Sequence, residues 1–235
     1  MNQRGRGYSV DGDGGIRSAR ATTDQRGRTD QSNTPGPVGR PWRMVAYTVA
    51  MDVYDFDGTL YRGDSTADFL KWSMRRHPRI IATLPRTGIA AVACFALHLI
   101  DKTSFKNALY RFLPRIPDIE AEVERFWRIH EAKITGPCNP QPGDLVISAS
   151  PEFLLRDVCA QRGLALIASR VDPHTGRTLG PNCSNEEKIV RFRESYPDDA
   201  IEQFFSDSRN DDPMAGIAQH AFLVKEGKLL RWPNT

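Results

Sequence analysis

A hydrophobic segment, Val49 to Tyr54, interrupted only by Asp52, stops at Asp55-Phe56-Asp57-Gly58-Thr59, and this junction restricts the chain more than any other stretch. The segment predicts a buried strand. Two carboxylates two positions apart at its mouth, followed at once by glycine, make a compact anionic turn. Two readings are open at this point. One is an acidic loop in which Gly58 supplies a positive φ. The other is a site whose hard oxygen ligands hold Mg²⁺ beside a substrate phosphate. There, one carboxylate attacks phosphorus while its neighbour handles protons.

The second half of the chain bears on that choice. Leu145-Val146-Ile147 predicts another strand, running into Ser148-Ala149-Ser150. Pro151 then opens a helix at the first-turn position that tolerates proline, and the helix stops near Gly163. A strand over Leu164–Ala168, a hairpin over Arg170–Leu179 and a helix over Asn185–Ser195 follow. Gln203–Phe205 predicts a strand ending in Ser206-Asp207-Ser208, and Asp212–Gln219 a short helix. Ala221–Val224 predicts a strand that turns at Glu226-Gly227 into a last one. Such alternation predicts an α/β fold with a parallel sheet covered on both faces. Ligands of such sheets bind at the carboxyl ends of the strands. Asp55, Ser148 and Asp207 all fall at such ends, which favours the site over the loop.

Between these halves the pattern is helical. Asp64-Ser65-Thr66 opens a helix with Asp64 or Ser65 as N-cap. Helical spacing then covers about 65–135, broken near Pro78, Pro85, Pro114 and Pro117. Ile119–Lys133 is amphipathic, and Gly136–Gly143, with three prolines, links back to the core. The longest apolar run, Gly88–Ile100, is shorter than the roughly 20 residues that span a bilayer. It is expected either as the core of this helical segment or as an interfacial helix.

Charge misleads here unless it is divided along the chain. Residues 1–43 hold eight Arg against four Asp, a balance of +4; subtracting this from the chain's +3 leaves −1 for the rest. The part expected to fold is close to neutral and gives no basis for a specific nucleic-acid function. Residues 1–43, rich in Gly and Arg and poor in large apolar side chains, are expected to be disordered. Met44 opens into the first strand. Cys94, Cys138, Cys159 and Cys183 show no metal-ligand spacing and are expected as reduced thiols. With no apolar signal segment at the N-terminus, a cytoplasmic protein is expected.

Asp55 and Asp57, then Ser148, then Lys188 within Asn182-Cys183-x-x-Glu186-Glu187-Lys188, then Asp207-Ser208-Arg209-Asn210-Asp211 make an ordered set. In order and context this set resembles the four motifs of the haloacid dehalogenase superfamily, over roughly residues 45–230. The resemblance implies a Rossmann-like core, 44–64 with 137–235, and an inserted small helical cap, 65–136. It implies Asp55 as nucleophile and Asp57 as general acid and base. Mg²⁺ would be held by Asp55, the Asp57 backbone carbonyl and Asp207, with Asp211 supporting it directly or through water. Lys188 and Ser148 would meet the phosphoryl oxygens, aided by backbone N–H groups at Ala149 and Gly58 and by Asn210.

Asp57 separates two reaction types. Halide leaves unprotonated, whereas an alkoxide needs an acid, so a phosphatase is expected rather than a dehalogenase. The helical insertion resembles that of the phosphoserine phosphatase-like branch. Two departures stand out: Asp64 where those enzymes carry a glutamate for the substrate amine, and Ser148-Ala149-Ser150 where they carry Ser-Gly-Gly. The stretch Phe69–Pro78 with apolar 80–100 resembles the bacterial phosphatidylglycerophosphatase C branch. That resemblance implies a lipid phosphate substrate and a peripheral membrane contact, with Arg75, Arg76 and Arg79 at anionic headgroups. A small phosphorylated metabolite, transfer to an acceptor other than water, and a non-catalytic binding module are the alternatives. The oligomeric state is not legible.

Overall fold

The computed structural model describes residues 50–233; the expected tail at 1–43 and the residues before Ala50 lie outside them. β1 (Ala50–Tyr54) is followed by a long helical insertion and then by β2 (Leu145–Pro151). Next come α5 (Glu152–Ala160), β3 (Ala165–Ser169), α6 (Glu186–Ser195) and β4 (Ala200–Ser206). A single helical turn, α7 (Asp212–Ala215), precedes β5 (Ala218–Lys225) and β6 (Lys228–Arg231). The six strands form one sheet in the order β3-β2-β1-β4-β5-β6, parallel except for β6.

Alternation within the strands builds the two layers. Val53, Leu145, Ile147 and Phe204 face a core with Phe192, Met214 and Trp232. Their neighbours Tyr54, Val146 and Phe205 face the opposite core with Leu154, Leu155 and Trp127. Both faces are therefore covered, which is why the buried ends of these strands, Val53-Tyr54, Leu145-Val146-Ile147 and Phe204-Phe205, are continuously apolar. Strand order reverses at β1: β2 and β3 lie to one side, β4 and β5 to the other. A crevice opens outside the carboxyl ends at such a switch point, and Asp55 and Asp207 follow the two strands that flank it.

The insertion holds α1 (Ser65–Arg76), α2 (Leu84–Ala91), α3 (Lys102–Leu109) and α4 (Ile119–His130), with 3₁₀ turns between them. Asp64 caps α1 through a 2.8 Å bond from the Ala67 N–H; Asp101 and Asp118 cap α3 and α4 in the same way. A neck ties the outgoing and returning chain together: Tyr61 bridges Ile134, and the Arg62 N–H donates to the Lys133 carbonyl at 2.9 Å. The Trp127 indole N–H donates to the Leu154 carbonyl at 2.6 Å, fastening α4 to α5. Phe69, Tyr110, Phe112, Val123 and Phe126 form the buried interior of the insertion.

Three expectations change. Residues 88–100 are not the insertion's core: Ile89 is 71% exposed and Leu99 73%, because the aromatic residues just named already fill that interior. Helix also begins earlier than the apolar run, since the 3₁₀ turn Pro78–Thr83, α2 and a π turn (Val92–Ala96) follow one another without a break. The resulting stretch, Pro78–Ala96, is long and apolar enough by length and composition to cross a membrane. Finally, the helix expected over Asp212–Gln219 is only α7. Gly216 ends it, and Ala218 is drawn into register with Ile201 of β4.

Candidate active site

At the end of β1 the Asp55 N–H donates to the Phe205 carbonyl at 2.8 Å, which holds the residue beside β4. The chain then doubles back, with the Leu60 and Tyr61 N–H groups both donating to the Phe56 carbonyl. Gly58 meets two demands. Its φ is +73°, and a Cβ there would lie 1.9 Å from Oδ2 of Asp207. Only glycine satisfies both the left-handed backbone and that approach. The Asp207 carboxylate is thereby seated against the backbone that follows Asp57.

Lys188 is the positive centre of the site. It is 2% exposed, and its ammonium donates to Asp55 Oδ1 at 2.8 Å and to Asp211 Oδ2 at 2.7 Å. Asp211 Oδ2 also accepts from the Ser206 hydroxyl at 2.7 Å. Burial pushes the Asp55 carboxyl well above the usual carboxylate range; Lys188 pulls it back, and Asp211 and Asp57 add to the rise. Burial alone would depress the Lys188 ammonium, but the two carboxylates outweigh it and hold the proton firmly. Two carboxyl groups and one ammonium thus share a largely buried cluster at the floor of the site.

Asp57 points elsewhere. Its Oδ1 accepts from the Ser65 N–H at 2.6 Å and its Oδ2 from the Ser150 hydroxyl at 2.5 Å. Burial, followed by the charge of Asp64, pushes its carboxyl up to about 6, against the hydrogen bonds from Ser150 and Ser65. A carboxyl in that range can both give and take a proton near neutrality.

All nine residues singled out in the sequence line one cavity of about 560 Å³: Asp55, Asp57, Asp64, Ser148, Ala149, Lys188, Asp207, Asn210 and Asp211. Ser148 is buried and accepts from the Ser150 N–H at 3.1 Å. The Ala149 carbonyl accepts from the Lys106 ammonium and from the Ser169 hydroxyl, which holds this turn in place. Asn210 is exposed at the rim. Asp64, besides lining the cavity, is the N-cap of α1.

The donor set can be tested against a metal. Among the described residues no three His, Cys, Asp or Glu side chains are grouped to hold an ion by themselves. Asp55 and Asp207 supply two carboxylates, and the Asp57 carbonyl belongs to the turn against which Asp207 is seated. Two carboxylates, one carbonyl and water is the hard, partly hydrated set that Mg²⁺ takes. Asp211, engaged by Lys188 and Ser206, suits support through water better than direct ligation.

Several cavity residues escaped the sequence reading. Ser150, directly before Pro151, stands where a helix cap would, yet α5 starts from Pro151 with no side-chain cap. Asn185 adopts φ 55° and ψ −130° immediately before α6, and its buried Oδ1 has no partner. Phe95, Phe105 and Leu109 of the insertion form an apolar lip; Phe95 and Phe105 meet edge-on with centroids 5.0 Å apart. Arg76 is exposed, as Arg75 and Arg79 are, and it also pairs with the buried Glu122 at 2.6 Å and lies over the Trp72 ring.

Comparison with known proteins places this geometry. The sequence profile of the haloacid dehalogenase-like hydrolases matches residues 53–216. Protein CicA of Caulobacter vibrioides is 31% identical over 223 residues, covering 82% of this chain and 91% of the relative. A crystal structure of a protein of unknown function from Bordetella pertussis superposes with a TM-score of 0.60 at 21% identity, covering 74% of this chain and 89% of that one. A probable phosphoserine phosphatase from Vibrio cholerae gives a TM-score of 0.48 at 11% identity, covering 72% of this chain and 55% of that one.

Proposed function

This chain belongs to the haloacid dehalogenase-like hydrolase family, and we propose that it is a Mg²⁺-dependent phosphomonoesterase working through a phosphorylated Asp55. One observation carries the reading: a buried carboxylate at a strand end, 2.8 Å from a lysine ammonium, with a second, hydrogen-bonded carboxyl two residues on in the same cavity.

Asp55 attacks phosphorus in line, the ester P–O bond breaks, and Asp57 gives its proton to the departing alkoxide. Asp57, now a carboxylate, takes a proton from water, whose oxygen attacks the acyl phosphate. Inorganic phosphate leaves and the Asp55 carboxylate is restored. Ser148 and Lys188 meet the phosphoryl oxygens. When bound, Mg²⁺ would be held by Asp55, the Asp57 carbonyl and Asp207, and supplies positive charge against the crowded anionic oxygens. EDTA is expected to lower hydrolysis of phosphate esters by at least about 100-fold, with recovery on adding Mg²⁺. Phosphate release that persists in EDTA would remove the metal from this reading.

For the substrate we propose an amphiphilic phosphate ester presented at an anionic bilayer. The apolar lip supports it, and so do Ile81, Ile89, Val92, Leu97 and Leu99, all more than half exposed on the same insertion. Residues 69–100 contain no Asp or Glu but carry the exposed cations Lys71, Arg75, Arg79 and Arg86. Apolar area flanked by cations matches an acidic headgroup layer. The protein is expected to sediment with phosphatidylglycerol vesicles, and joint Ile89→Asp and Leu99→Asp changes are expected to weaken binding at least about tenfold. Protein remaining in the supernatant with anionic vesicles at low salt would leave a water-soluble ester as the substrate.

A further inference from the structure

Ser150 occupies a position that neither the strand nor the following helix requires. The register between β2 and β3 slips between Ser148 and Pro151, a bulge of the kind that re-aims side chains beside active sites. The bulge turns the Ser150 hydroxyl, in a residue only 4% exposed, onto Asp57 Oδ2 at 2.5 Å. Its oxygen lies 2.9 Å from the Thr66 hydroxyl and 3.4 Å from that of Ser65, both in the first turn of α1. A serine has one hydrogen to give. Given to Asp57, it leaves the oxygen to accept from Thr66. The same turn of α1 supplies the Ser65 N–H to the other Asp57 oxygen at 2.6 Å.

We propose that Ser150 is a positioning residue that sets the orientation of Asp57 for proton transfer and ties it, through Thr66, to the first helix of the insertion. Neither oxygen of Asp57 is then left to choose its own rotamer. The assignment rests on the phosphomonoesterase reading above, in which Asp57 protonates the leaving alkoxide. It extends that reading by stating what fixes the acid and by making the seating of α1 a condition for it.

Leaving-group dependence tests this. The phenolate of p-nitrophenyl phosphate departs with little help, whereas the alkoxide of n-octyl phosphate needs a proton. With Ser150→Ala, kcat/KM for the octyl ester is expected to fall at least about tenfold, and that for the aryl ester by less than about twofold. Ser150→Thr, which keeps the hydroxyl, should restore the ratio. Thr66→Val, which leaves the β2 bulge untouched, should move it the same way by less. Equal losses on both esters, or no loss on either, would overturn the role of Ser150 while leaving the phosphatase reading intact. Wild-type protein that cleaves neither ester, or only the aryl one, would remove the acid role of Asp57 and this inference with it.

Discussion

Asp55→Asn is expected to lower phosphate-ester turnover by at least about 10⁴-fold while the protein stays folded. The amide is nearly the same size as the carboxylate, and its oxygen can still accept from Lys188, which keeps its second partner, Asp211, at 2.7 Å. Structure therefore survives, but the nucleophile is gone. Removing a negative charge whose burial is costly offsets part of the lost ion pair, so Tm should move by only a few degrees. Rapid quenching of the wild-type protein with labelled substrate should trap a hydroxylamine-sensitive label, as expected of an acyl phosphate, and the variant should carry none. A variant that retained parental turnover would eliminate Asp55 as the attacking group.

Lys188→Met should damage both activity and stability. The ammonium is the shared partner of Asp55 and Asp211 at the centre of the site. Methionine, one atom shorter, keeps the aliphatic stem but leaves two buried carboxylates facing each other. Breaking a buried pair from one side costs about 3–5 kcal/mol; at the lower end this is roughly 6–12 °C in Tm for a domain of this size. Asp55 answers by taking up a proton, because burial and Asp211 already push its carboxyl upward and Lys188 is what pulls it down. A protonated carboxyl does not attack phosphorus, so turnover should fall by at least about 10³-fold. Thermal denaturation and steady-state kinetics read the two effects separately. Unchanged Tm with lost activity would mean that Lys188 acts on the substrate alone and does not hold the site together.

The two predictions differ in what the sequence could have supplied. Asp55 announces itself, since an apolar run ending in Asp-x-Asp-Gly is a local pattern. Lys188 lies 133 residues away from it, in a helix where a lysine is ordinarily solvated. Only its place in an ordered set of motifs pointed to it, and only the fold shows that it is buried between two carboxylates. Ser150 is the clearer failure. A serine before proline at a helix start has a sufficient local explanation as a cap, and nothing nearby marks a bulge that turns its hydroxyl onto Asp57. The segment around Gly88–Ile100 misled for a related reason: apolar composition states what a surface prefers, not whether other residues have already filled the interior beneath it.

Short apolar runs, helical spacing and turn residues marked the α/β alternation, the helical stretch between β1 and β2, and the strand-end placement of Asp55 and Asp207; β2 runs on past Ser148 to Pro151, because a register slip carries its pairing with β3 beyond the expected end. The features so marked depend on contacts within a few residues and on which side chains leave water. The tertiary structure alone decided which carboxylates share a lysine, which hydroxyl meets Asp57, and which apolar residues remain exposed. Each of these depends on strand order and on the seating of the insertion, which bring distant residues to hydrogen-bonding distance without leaving a mark in the local sequence.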